Sequence, residues 1–104
     1  MSDWIRGTTQ DFSLEFEGLD MSQITAIEIT LAQFKKEVLT KTLEDVTIDG
    51  QSVNVHLSQE DTLKLREYTR VNLQVRVLMA DGNAYATEIM STSVAALLKG
   101  GVIE

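Results

Sequence analysis

The chain reads as an all-β antiparallel sandwich, and three observations carry that reading. Apolar residues recur at every second position along most of the chain, two Asp-Gly pairs separate alternating segments, and only one short stretch leaves period two. Asp11 to Glu17 places Phe12, Leu14 and Phe16 between polar neighbours, the signature of a half-buried strand that Gly18-Leu19-Asp20 ends. Ile24 to Phe34 follows with Ile27, Ile29 and Leu31 on one face and Glu28 and Thr30 on the other. Its hairpin partner is Glu37 to Thr42, joined through the solvent-loving pair Lys35-Lys36. Val38 and Leu39 are adjacent, so alternation leaves the inward face of this strand open. That fits an edge strand on which Lys41 discourages further pairing.

Val46 to Ile48 and Gln51 to Leu57 flank Asp49-Gly50, with Val53, Val55 and Leu57 opposing Ser52, Asn54 and His56. A second Asp-Gly, at Asp81-Gly82, separates Arg70 to Met79 from Ala84 to Ser93. The alternating run Val71, Leu73, Val75, Val77 and Met79 predicts the centre of a sheet. Between the hairpins, Ser58 is followed three residues later by Asp61, then by Leu63 and Leu65, which predicts one or two helical turns opened by a capping box. There Glu60 and Asp61 oppose the positive end of the helix dipole, which accounts for both acids without catalysis. About seven strands with one short helix before the sixth form an immunoglobulin-like sandwich, with a closed barrel as the alternative. Tyr68, entering the sixth strand, occupies the place of that fold's tyrosine corner.

With 104 residues, 43% of them hydrophobic and 24% charged, the chain is expected to form a single domain over 1–104, with a short N-terminal arm (1–10) and an apolar C-terminal tail (94–104). Sixteen acidic residues against nine basic ones give a net charge of −7, and the basic residues are scattered along the chain, so no nucleic-acid partner is expected. Met1 to Arg6 lacks a basic region leading into an apolar run, and no segment approaches a membrane span, so neither export nor a membrane partner is expected. The absence of cysteine excludes disulfides, thiol nucleophiles and thiolate metal sites.

The search for chemistry finds no catalytic residue, no cofactor-binding motif and no metal site. His56 is the only histidine and falls on a polar strand face, without the spacing that a triad or an imidazole zinc site requires. Glu15 and Glu17 share a strand face about 7 Å apart, but an exposed face offers no desolvating cleft to raise one pKa. Asp49-Gly50 and Asp81-Gly82 are turns rather than calcium loops, and Lys64, Arg66, Arg70 and Arg76 alternate with acids as a mixed surface. More informative are the two terminal segments. Trp4 and Ile5 put a large aromatic on an arm, where it either folds back or docks on a neighbour. Leu97, Leu98, Val102 and Ile103 extend an apolar tail past the last strand, to be covered by the sandwich itself or by another chain.

The order of several segments is also familiar. Ile5-Arg6-Gly7-Thr8-Thr9, Val38-Leu39-Thr40-Lys41, Val53 to Leu57 leading into Ser58 to Lys64, Leu73 to Leu78 and Asp81 to Thr87 together make nearly the whole chain resemble small proteins encoded in prophages of Gram-positive bacteria. Those proteins are similar in turn to the N-terminal immunoglobulin-like domain of phage upper baseplate proteins. Two positions depart from the pattern: Phe34-Lys35-Lys36-Glu37 stands where an Asn-Gly-like turn is common, and Gln10 replaces a proline after Gly-Thr-Thr. The resemblance implies a non-enzymatic structural protein of the virion, made in the bacterial host cytoplasm. It would act in a tail or baseplate, with other phage structural proteins and further copies of itself as partners. Trp4, Ile5, Leu97, Leu98, Val102 and Ile103 are the candidate contact residues. The competing reading is a monomeric module that binds a host glycan or protein through exposed aromatics such as Trp4 or Tyr85.

Overall fold

The computed structural model describes residues 4–104; the first three residues of the predicted arm lie outside the described residues. Nine strands form two sheets: β1 (Trp4–Ile5), β2 (Gln10–Glu15), β3 (Ile24–Gln33), β4 (Lys36–Thr42), β5 (Val46–Asp49), β6 (Ser52–Leu57), β7 (Thr69–Met79), β8 (Ala84–Ala86) and β9 (Met90–Ala95), with one α-helix, α1 (Gln59–Leu63), before β7. One sheet has the order β1-β9-β7-β3-β4 with β8 also on β7, and the other is β2-β6-β5. Pairing is antiparallel except where β1 runs parallel to β9, Trp4 beside Val94. The chain is an all-β, immunoglobulin-like sandwich. Its three-stranded sheet corresponds to B-E-D of that fold, and β4-β3-β7-β9 to C′-C-F-G.

Alternation does the packing. Leu14, Phe16, Val53, Val55 and Leu57 from one sheet meet Ile27, Ile29, Leu31 and the Val71-to-Met79 row from the other in a single cluster. Each such side chain contributes about 1.5–3 kcal/mol by leaving water. The predicted capping box is present: Asp61 N–H donates to Ser58 Oγ at 3.1 Å, and Ser58 N–H donates to Asp61 Oδ2 at 2.9 Å.

The structure settles one point that alternation left open and corrects three expectations. Val38 is an extra residue in β4: Leu31 pairs Leu39 and Ala32 pairs Glu37, so a bulge absorbs the adjacent apolar pair, with Leu39 buried. β4 is an edge strand, but Lys41 does not face water; its Nζ lies 2.8 Å from Asp61 Oδ2 on α1. The single strand expected from Ala84 to Ser93 is broken between Ala86 and Met90 by a one-residue register shift against β7, where the Thr87 hydroxyl replaces a carbonyl in accepting Val75 N–H. Finally, Tyr68 is not a tyrosine corner. Its backbone is left-handed (φ 62), its side chain is 85% exposed, and its hydroxyl makes no hydrogen bond among the described residues.

Candidate interaction sites

Trp4 folds back onto its own domain. β1 adds to the β9 edge, and the indole stacks on Phe12 of the opposite sheet with ring centroids 5.6 Å apart, linking the two layers. Ile5 beside it is exposed. The arm continues inward: Arg6 N–H donates to Ala95 O, and Gly7 N–H donates to Thr62 Oγ1, whose own hydroxyl donates to Thr8 O at 2.6 Å. Thr62 is fully buried, so one side chain satisfies a backbone donor and a backbone acceptor that water does not reach. Gly7 is buried with φ 83, and a Cβ there would stand 2.6 Å from Leu97 Cδ2. That contact places Leu97 against the arm, half-buried.

The remaining tail residues lie outside the core. Leu98 is fully exposed and Ile103 is 80% exposed, while Val102, at 44%, falls between Ile103 and the half-buried Leu97. A groove of about 510 Å³ separates the tail from the arm and α1, lined by Gly7, Thr8, Gln59, Leu97 and Val102. Gln59 clips the tail across it, accepting Ile103 N–H at 2.8 Å and donating to Ile103 O at 3.2 Å. Of the six candidate contact residues, the fold therefore uses Trp4 and Leu97 internally and presents Ile5, Leu98, Val102 and Ile103.

The residues with chemical potential stay apart. His56 Nδ1 meets Asp11 Oδ1 at 2.6 Å on the outer face of the three-stranded sheet, both side chains mostly in solvent, and among the described residues no hydroxyl hydrogen-bonds the imidazole. Glu15 and Glu17 are exposed at and just beyond the end of β2. The Asp61 carboxyl is perturbed. Burial pushes its carboxyl up, but the hydrogen bond from Lys41, the Ser58 N–H, the charge of Lys41 and the Ser58 hydroxyl outweigh that and hold it below the ordinary value of 3.8. This ion pair ties edge strand β4 to α1, a structural task.

Sequence reasoning missed a site at the tip of the β3–β4 hairpin. Gln33 and Lys36 pair across a two-residue turn whose central residues, Phe34 (φ 53) and Lys35 (φ 62), are both left-handed, the conformation that Asn-Gly would adopt at ease. Buried Gln33 holds it in place, donating to Arg66 O and accepting Arg66 N–H, while the Arg66 guanidinium lies 5.7 Å from the centre of the Phe34 ring. Phe34 remains 63% exposed. The available signal was Phe34-Lys35 standing where a glycine turn was expected. Comparison of the chain with protein families, curated proteins and solved structures finds no match.

Proposed function

We propose that this chain is a non-enzymatic assembly module, a structural component of a phage or prophage tail or baseplate that works through protein–protein contacts and resides in the virion. The observation that carries the assembly reading is the tail. Leu98, Val102 and Ile103 stay exposed while Trp4 packs against the core and Leu97 against Gly7, so a neighbouring structural protein or a second copy has apolar surface left to cover. The virion setting rests on the resemblance of the sequence to prophage-encoded proteins. The rigid sandwich holds the contact surface in place, and repetition by symmetry strengthens a weak interface.

Mass spectrometry of density-purified particles induced from the source strain tests the setting: a fixed ratio to the major capsid and tail proteins is expected, and absence from intact particles overturns it. For the interface, Leu98→Ser with Ile103→Ser is preferred to any change at Leu97, which packs on Gly7. The expected result is loss of incorporation, or of the part of the oligomer mass that the tail contact contributes, with strand content retained. A second reading, a monomeric host glycan- or protein-binding module, draws on Tyr85, which is exposed and lines a groove of about 670 Å³ with Phe16, Leu19 and Met90. Saturable binding by a monomer lacking residues 99–104 would favour it.

A further inference from the structure

We infer that this protein self-associates head to tail, the Phe34 hairpin tip of one copy seating in the recess between the β2–β3 and β7–β8 turns of the next. The two ends of the sandwich are opposite in charge. At the hairpin end, Lys35, Lys36 and Arg66 are exposed beside Phe34, the Arg66 guanidinium 5.7 Å from its ring centre, while of the neighbouring acids Glu37 and Glu67 the second is engaged by Arg6 at 3.7 Å. At the other end, the connections 16–23, 49–51 and 80–83 contain no lysine or arginine and carry Glu17, Asp20, Asp49 and Asp81, all exposed, with Glu15 adjoining. The antiparallel register puts them at opposite ends: Ala32 pairs Asn72 near one end of β7, and Ile24 pairs Met79 at the other. The eleven residues of β7 keep the two sites about 33 Å apart.

Shape follows charge. The acidic end holds a recess of about 230 Å³ lined by Leu19, Met79 and Tyr85 together with Asp20 and Asp81. An aromatic knob beside cations therefore has, on the same chain, a recess that joins Leu19, Met79 and Tyr85 to Gln23 and two carboxylates. The tip is also held ready, since the Gln33–Arg66 latch keeps its strained backbone in one conformation and little ordering entropy remains to be lost on docking. A net charge of −7 repels copies in most orientations, and this is the orientation that brings opposite signs together. At about 0.15 M salt the Debye length is about 8 Å, so the contact senses the local ends rather than the distant net charge. The contact is heterologous and builds an open chain or, where the rotation closes, a ring. It depends neither on the C-terminal face nor on a virion setting.

Sedimentation velocity over a concentration series at about 0.15 M and about 1 M salt tests this, because screening shortens the Debye length to about 3 Å at the higher salt. The expected result is reversible association that weakens at high salt. Phe34→Ala, and separately Lys35→Glu with Lys36→Glu, should each weaken it at least about tenfold. Glu15→Lys with Glu17→Lys, at exposed positions whose side chains make no hydrogen bond among the described residues, should weaken it likewise. Mixing the two charge-reversed proteins should restore association, since each then offers the end the other lacks. A protein monomeric at every concentration and salt overturns the inference, as does association that survives both reversals. The Leu98→Ser/Ile103→Ser protein should still associate end to end, which separates failure of this contact from failure of the tail interface.

Discussion

Residues 4–10 and residues 96–104 both carry apolar side chains on segments flanking the sandwich, yet the first is built into the fold and the second lies against it. The arm supplies a strand to the β9 edge, stacks Trp4 on Phe12 and delivers two backbone groups to the buried Thr62 hydroxyl. The tail has one side chain, Gln59, holding its backbone, and its largest apolar groups face water. The difference lies less in hydrophobicity than in hydrogen bonding: a segment joins the interior when its backbone donors and acceptors find protein partners there.

The largest expected effect comes from breaking the arm's anchor. Thr62→Val keeps the shape but leaves Gly7 N–H and Thr8 O without their partner, at about 2–4 kcal/mol, read as a lower urea midpoint with unchanged slope. A loss under about 0.5 kcal/mol would mean that the arm is as dispensable as the tail. Next, Gly7→Ala forces a left-handed alanine and a close approach to Leu97 and Leu63, costing about 1–3 kcal/mol; Leu97→Ala in the same protein should recover the part due to the contact but not the part due to φ.

Acid should act on the same anchor through α1. Because the Asp61 carboxyl is held below 3.8 in the folded state, the stability it contributes is present above that value and is lost as pH falls through the lowered one. Unfolding midpoints measured across this range should fall toward acid, and Lys41→Met should flatten that part of the profile. The smallest effect belongs to the tail: Gln59→Ala should change global stability by less than about 0.5 kcal/mol while abolishing hydrogen-exchange protection of the Ile103 amide.

Most strands and the helix were legible because their causes are local. Val71, Leu73, Val75, Val77 and Met79 alternate with neighbours on the other face, and all five are buried; Ser58 and Asp61 stand three apart and cap each other; Gly50 takes φ 61 at the first central position of its turn, as a Gly-X hairpin asks. The adjacent pair Val38-Leu39 was ambiguous because a bulge is a property of two strands, settled only when Leu31 and Leu39 pair. Lys41 looked like an edge guard because Asp61 lies twenty residues away in the chain, and Tyr68 looked like a corner residue because its left-handed backbone leaves no trace in residue type. The candidate sites were half legible. The exposed tail was visible as apolar residues beyond the last strand. The Phe34 end was not, because Lys35-Lys36 read as a solvent-loving link and Arg66 as part of a mixed surface until the Gln33–Arg66 hydrogen bonds brought them together.

By itself, then, the sequence determined the two-sided alternation, the hairpin positions and the capped helix, all set by the period of a strand and by contacts within a few residues. Tertiary structure alone decided that β1 joins the β9 edge, that Thr62 receives the arm, that Lys41 turns toward Asp61 and that charge divides between the ends. Each of these joins residues far apart in the chain, and such pairings are fixed by how two sheets pack around one core.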